Sequence, residues 1–249
     1  MTSRNERLKR IKSLVDSTGY IPTMTIAKRL NVSPMTIRRD LSDLHKQKLI
    51  IKVYGGAQSI TSSVSEFTTD EKMNKNVPEK KEIAKKLSDL IPNGSTIFLG
   101  AGTTLLYAVL ALKNKNLTFV TNSLPAFSEL SKADCHVILS GGELYKNTSE
   151  FLGPIAERVF DGINIDLALG STNGINNDQV TTNNSQEGGI QNMAFQYAEK
   201  SVVVADHSKL DKADTFTFRK LSKFDYLVTD SKVSKDLVDK YSQYTKVIH

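Results

Sequence analysis

Residues 95–112 read STIFLGAGTTLLYAVLAL: a short apolar run, a loop of small residues, then a second apolar run with helical spacing. A strand that turns through glycines into a helix leaves the first backbone N–H groups of that helix without intrahelical partners, and the helix dipole adds partial positive charge there. Such a junction holds anions, phosphate above all. The loop is neither of the two common nucleotide loops. Leu105 stands where the third glycine of G-x-G-x-x-G belongs, and no Gly-Lys-Ser/Thr follows as in a P-loop. Gly100, Ala101, Gly102, Thr103 and Thr104 are therefore read as a phosphate cradle, for a substrate to be converted or a ligand to be sensed.

Outward from this stretch, short apolar runs alternate with helical patterns to the end of the chain. Strands are expected at STIFLG, LTFVT, CHVILSG, DLALG, SVVVAD and YLVTD, with a short terminal KVIH, and helices near 103–112, 123–131, 153–160, 185–200 and 234–241. Continuous apolar strands bounded by helices predict an α/β domain whose largely parallel sheet is covered on both faces. In such a sheet the ligand crevice lies beyond the carboxyl ends of the strands. Polar residues gather there: Thr121, Asn122 and Ser123 after the second strand, Gly141, Gly142 and Glu143 after the third, Asn173 and Gly174 after the fourth, and Asp206, His207 and Lys209 after the fifth. Glu187, on the helix opened by TTNNSQE, is placed to reach a sugar hydroxyl. Singly, most of these have a plainer reading as turn glycines, caps or surface charges. Their repetition along one rim points to a pocket.

The net charge of +6 is unevenly placed. Residues 1–57 hold 12 Lys and Arg against 4 Asp and Glu, whereas the remainder holds 21 against 23. A basic module joined to a near-neutral body predicts a polyanion partner at one end and a different task at the other. Within the module, Leu8, Ile11, Leu14 and Val15 mark an amphipathic helix from Arg4 to about Asp16. In the following TIAKRLNVSPMTIRRDL, Thr25 is expected to cap a short helix with Ile26, Ala27 and Leu30 facing inward. Asn31 and Val32 form a turn, and Ser33 caps a second helix with Pro34 at its first position. Ile37, Leu41 and Leu44 form its buried stripe, which leaves Met35, Thr36, Arg38 and Arg39 on the outward N-terminal half, where a recognition helix meets DNA. LIIKVYGG then reads as a strand closing on a turn, a wing from which Lys52 and Tyr54 touch the backbone.

Residues 57–77, AQSITSSVSEFTTDEKMNKNV, are polar with few apolar anchors. The expected organisation is a winged helix-turn-helix over 1–57, a linker over 58–77 and an α/β sensor domain over 78–249. A helix starting at Pro78 turns Ile83, Ala84, Leu87, Leu90 and Ile91 inward and is expected to keep Lys80, Lys81, Lys85 and Lys86 on or beside its wetted side. The single cysteine, Cys135, reads as a small buried hydrophobe. His45, His136, His207 and His249 are scattered, so no metal and no cofactor are expected. No apolar run is long enough to cross a bilayer and no signal-peptide pattern opens the chain, so a cytoplasmic protein without a membrane partner is expected.

The stretch TIAKRLNVSPMTIRRDLSDLHKQKLIIKVYGGA resembles the N-terminal signature of the DeoR family of bacterial transcriptional regulators. The resemblance continues through G-T-T, T-N, G-G-E and D-H-S-K, in the family's order. It implies an operator-reading winged helix-turn-helix, usually a repressor of a sugar-catabolism operon. It also implies a sensor with the ribose-5-phosphate isomerase/glucosamine-6-phosphate deaminase fold that binds a phosphorylated sugar. Two positions depart from many members: Gly100 replaces an acidic residue, and Gln191 replaces a lysine. Both departures resemble the lactose phosphotransferase-system repressor subgroup, whose inducer is tagatose 6-phosphate.

The competing reading is a sugar-phosphate isomerase or deaminase with a DNA-binding appendage, with Glu187 as base and Lys209 or His207 as acid. Gly100 offers no side chain and Gln191 does not titrate, so sensing is favoured over catalysis. A homo-oligomer, dimer or tetramer, is expected because a single small helix-turn-helix reads too few bases.

Overall fold

The computed structural model describes residues 4–18, 20–47, 49–53, 55–59 and 72–249, which fall into two compact units, 1–67 and 68–249. In the first unit, helix α1 (Arg4–Thr18) precedes strand β1 (Tyr20–Pro22), helices α2 (Thr23–Leu30) and α3 (Pro34–Lys46), and strands β2 (Ile50–Val53) and β3 (Gly56–Ser59). The three strands form an antiparallel sheet in the order β1-β3-β2. Ile11, Val15, Ile26, Ile37, Leu41, Leu44 and Ile50 are buried together, so the helical stripes read from the sequence do meet in one core. Strand β1 was not anticipated; three residues are too few to show a period.

Ser33 caps α3, its Oγ accepting from Thr36 N at 3.2 Å, with Pro34 in the first turn. Thr25 does not cap α2. That helix starts two residues earlier, behind Pro22, which offers no side-chain acceptor, and Thr25 lies within the helix. Asn31 ends α2 in the left-handed region at φ 53°, a conformation asparagine tolerates better than most side chains.

One buried charge fixes α3. Asp40 is 1% exposed and accepts from Arg7 Nε at 2.6 Å and Nη2 at 3.2 Å, a two-pronged contact between α1 and α3. The outer face of α3 is thereby held in register with the rest of the unit.

The second unit opens with α4 (Val77–Leu90), β4 (Thr96–Leu99), α5 (Thr103–Leu112), β5 (Thr118–Thr121), α6 (Leu124–Leu130) and β6 (His136–Leu139). A hairpin of β7 (Glu143–Tyr145) and β8 (Glu150–Leu152) and a short helix α7 (Pro154–Glu157) follow. Next come β9 (Ile165–Ser171), β10 (Gly174–Asn176), β11 (Gln179–Thr182), α8 (Ser185–Tyr197) and β12 (Ala198–Val204). The unit closes with β13 (Phe216–Lys220), β14 (Tyr226–Val228), α9 (Lys235–Tyr241) and β15 (Lys246–Ile248).

Seven strands form one sheet in the order β15-β14-β12-β9-β4-β5-β6, and every pairing in it is parallel. Along β4, Ile97 and Leu99 enter one core with α4 and α5, while Phe98 enters the other with Phe160 and Ile190, as the two-residue strand period demands. The strand order grows outward in both directions from the β4–β9 pair, so the topological switch point lies between their carboxyl ends.

Some details differ from the sequence reading. The helix expected over 153–160 is one α-turn followed by a 3-10 turn, and β12 begins at Ala198, where the helix was expected to continue to 200. The hairpin β7–β8 and the small sheet β10-β11-β13 are too short and mixed in polarity to be read from period. Strand β3 takes in residues 58 and 59, and residues 72–77 lie against the body through Asn76, so both ends of the 58–77 stretch belong to the flanking units.

Asp40→Ala is expected to cost the N-terminal unit about 1–3 kcal/mol, since it deletes hydrogen bonds between charged groups while Arg7 keeps partial access to water. Amide hydrogen exchange checks this: protection falls in α1 and α3 and is unchanged in α4 and α5.

Candidate functional site

In the N-terminal unit α3 presents Met35, 58% exposed, together with exposed Arg38 and Arg39 and half-buried Thr36. No hydrogen bond or ion pair occupies either arginine side chain among the described residues, so both are available to phosphate and base edges. Lys52 Nζ donates to Ser42 Oγ at 2.8 Å, and Lys52 N to His45 Nδ1 at 3.3 Å, which fastens the wing strand to α3. Tyr54 lies outside the described residues. Thr25 is half-buried on α2, one helix away from the exposed arginines.

In the second unit the Gly100–Gly102 loop lies between β4 and α5. Gly102 precedes α5 at φ 123° with no side-chain cap, so the first N–H groups of the helix are open. The glycine is required twice: by its φ, and because a Cβ there would strike Ser171 Oγ. Ser171, at the end of β9, donates from Oγ to Ala101 O at 2.7 Å and closes the loop against the neighbouring strand. Thr104 Oγ1 is fully buried without a hydrogen-bond partner among the described residues.

Next along the rim, Lys209 Nζ donates to Thr172 O at 2.6 Å. Burial lowers the Lys209 pKa to about 8, against the pull of Asp206, with Lys72 and Lys80 adding to the lowering. Burial works against ionisation of Asp206 too, but Lys209 and the hydrogen bonds from Ser208 and Asn76 outweigh it and hold that carboxyl below its ordinary range. Asn76 Nδ2 bridges Asp206 Oδ1 at 3.0 Å and Ser208 Oγ at 3.1 Å.

Lys80 corrects the sequence reading. It is 3% exposed rather than wetted, its Nζ bonded to Lys72 O, and burial lowers its pKa while Asp206 opposes the shift. The signal was present: Lys80 lies three, four and seven residues before Ile83, Ala84 and Leu87, on their helix face. Lys86 is also largely covered, donating to Glu82 and to Thr229 O.

The remaining sequence candidates serve varied ends. Thr121 Oγ1 donates to Leu99 O at 2.6 Å and accepts from Ser123 N, while Ser123 Oγ caps α6. Asn122 donates to Glu150 Oε2 at 3.0 Å, and its Oδ1 is buried without a hydrogen bond among the described residues. Gly141 and Gly142 have positive φ and turn the chain into the β7–β8 hairpin, on which Glu143 is exposed, two strands from the switch point. Asn173 Nδ2 donates to Asp214 at 2.9 Å, and Gly174 opens β10. Glu187 is buried and accepts from Thr182 Oγ1 at 2.8 Å. His207 Nδ1 lies 2.9 Å from buried Asp230, which also accepts from His207 N. The structure thus gathers Gly100–Thr104, Ser171, Gln191, Asp206, Lys209 and Lys80 around the adjoining ends of β4, β9 and β12. Among the described residues no cluster of three His, Cys, Asp or Glu is arranged to hold a metal, and no helix is long and apolar enough to cross a membrane. Cys135 is half-buried, its Sγ donating to Leu130 O.

Residues 7–63 match the DeoR-like helix-turn-helix domain and residues 75–231 the DeoR C terminal sensor domain. A lactose phosphotransferase system repressor of Streptococcus mutans is 34% identical over 250 residues, covering 99% of both chains. One from Lactococcus lactis is 34% identical over 251 residues, covering 99% of this chain and 98% of that one, and one from Staphylococcus aureus is 33% identical over 250 residues and 99% of both. Among solved structures, a ribose 5-phosphate isomerase A of Methanocaldococcus jannaschii superposes on 54% of this chain and 55% of its own, with a TM-score of 0.42 and 17% identity. A helix-turn-helix unit and a parallel-sheet sensor unit, both matched, and relatives similar along its whole length establish that the chain belongs to the DeoR family of transcriptional regulators and is a regulator, not an enzyme.

Proposed function

We propose that the protein represses a sugar-utilisation operon, holding its operator through α3 and the wing, and is released when a phosphorylated sugar binds at the β4–β9 switch point. The observation that carries the effector reading is a pair of lysines, Lys80 buried and Lys209 half-buried, near an uncapped helix N-terminus. Burying two cations near one carboxylate leaves an excess of positive charge that an anion relieves. The phosphate is assigned to the N–H groups of Ala101 to Thr104 and to these lysines. The sugar hydroxyls fall to Glu187, Asp206 and the neighbouring loops, including Asn173. The names of the relatives and the Gly100 and Gln191 pair favour tagatose 6-phosphate as the first effector to test.

The magnitudes suit a metabolite sensor. Three or four charge-assisted hydrogen bonds at ~1.5–3 kcal/mol each give a gross ~5–10 kcal/mol, which ordering costs reduce to micromolar or millimolar affinity. Weakening operator binding 10- to 100-fold requires the sugar phosphate to prefer the released state by only about 1.4–2.7 kcal/mol. A second copy of the chain on a two-fold operator completes the assembly, and sedimentation of the free protein tests it.

Arg38→Ala and Arg39→Ala are each expected to abolish specific operator binding with the fold and sugar-phosphate binding intact. Gel shift on the operator upstream of the regulated operon reads this, and wild-type affinity in both variants refutes the recognition-helix assignment. Thr103→Val with Thr104→Val is expected to give a repressor that stays on DNA at sugar-phosphate concentrations that release the wild type. Because Lys209 must be protonated to hold an anion and its pKa is lowered to about 8, effector affinity is expected to hold up to about pH 8 and fall above it. Calorimetric titrations with tagatose 6-phosphate from pH 6.5 to 9.5 check the sign, and Lys209→Met is expected to weaken the dependence.

A further inference from the structure

Gly100, just past the end of β4, and Gly170, within the adjacent β9, lie at the switch point, and neither has the positive φ that by itself calls for glycine. What they share is Gln191. A Cβ on Gly170 would lie 2.6 Å from Gln191 Oε1, and closer still to the Phe195 ring; a Cβ on Gly100 would lie 3.7 Å from the same oxygen and 3.1 Å from Leu169 O. Gly170 thus clears the slot in which the Gln191 carboxamide lies, 6% exposed, while Gly100 keeps clear of Leu169 O and stands at ordinary contact distance from the amide.

Within the slot the amide orientation is fixed. Ser171 N donates to Gln191 Oε1 at 2.8 Å, and a backbone N–H can meet only the oxygen end of the amide. Nε2 must then point the other way. It makes no hydrogen bond among the described residues and is not one of the sealed, orphaned atoms, so it keeps some accessible surface.

The same Ser171 that orients this amide closes the phosphate loop through Ala101 O, which sets the donor beside the cradle. We infer that Gln191 is a specificity-determining contact, its Nε2 donating to a hydroxyl or carbonyl oxygen of the sugar whose phosphate the Gly100–Thr104 loop holds. This rests on the sugar-phosphate reading above. A neutral donor in a slot with no carboxylate of its own selects an uncharged, oxygen-bearing carbon chain and contributes nothing to bare phosphate.

The test compares the full-length wild type with Gln191→Glu and Gln191→Met by calorimetry, using tagatose 6-phosphate, fructose 6-phosphate, ribose 5-phosphate and inorganic phosphate, with thermal melts to confirm folding. The quantity read is the ratio of sugar-phosphate to inorganic-phosphate affinity, which cancels the general repulsion that a new carboxylate exerts on anions. The ratio for the preferred sugar is expected to fall about tenfold in both variants, the scale of one lost hydrogen bond. A glutamate still accepts from Ser171 N, so a purely structural role for Gln191 predicts an unchanged ratio in Gln191→Glu, and that result overturns the inference. A wild type that binds no sugar phosphate more tightly than inorganic phosphate overturns the sugar-phosphate reading itself, and this inference with it.

Discussion

The reversal of strand order between β4 and β9 is the constraint on which the C-terminal unit turns. Two adjacent parallel strands whose onward connections leave in opposite directions cannot both cover the space beyond their ends, so a crevice remains there. The molecule closes the sides of that crevice with short polar contacts. Ser171 reaches across to Ala101, Gln191 reaches down to Ser171, and Gly102 and Gly170 have no side chain because one would fill the space those contacts occupy.

Electrostatics then gives the crevice its sign. Lys80 and Lys209 are far apart in the unit's sequence, and each is desolvated enough to lose part of its basicity. They remain tolerable because Asp206 and the backbone carbonyls of Lys72 and Thr172 stand against them. Through Asn76 and Lys72, the first described residues of this unit share hydrogen bonds with the site itself. The residues that lead in from the linker side are therefore part of the site's polar network.

The N-terminal unit solves a different problem, keeping a short helix rigid while its outer face stays free. Its apolar stripe, the Ser33 cap and the Arg7–Asp40 contact all act on the inner side of α3 or its first turn. Among the described residues, no hydrogen bond or ion pair commits the side chains of Arg38 and Arg39. Positive charge concentrated in this unit and a near-neutral body divide the labour between polyanion and small ligand.

Much of this was legible in the sequence, because period and capping are local. The 3.6-residue stripes gave α1, α2 and α3, Ser33-Pro34 marked the start of α3, and continuous apolar runs marked the strands of the parallel sheet and hence the rim beyond their carboxyl ends. Thr25 lies inside α2 rather than at its cap, because Thr recurs at 23 and 25 and the helix starts at the first of them. Strand pairing is non-local, so the sequence could not show that β4 and β9 are neighbours, that Gln191 lies over Gly170, or that Lys80 and Lys209 face one carboxylate. The sequence by itself determined the helices of the first unit, the strands of the parallel sheet and the two-unit organisation. The tertiary structure decided which of them meet, since desolvation and hydrogen-bond partners come from packing between segments far apart in the chain.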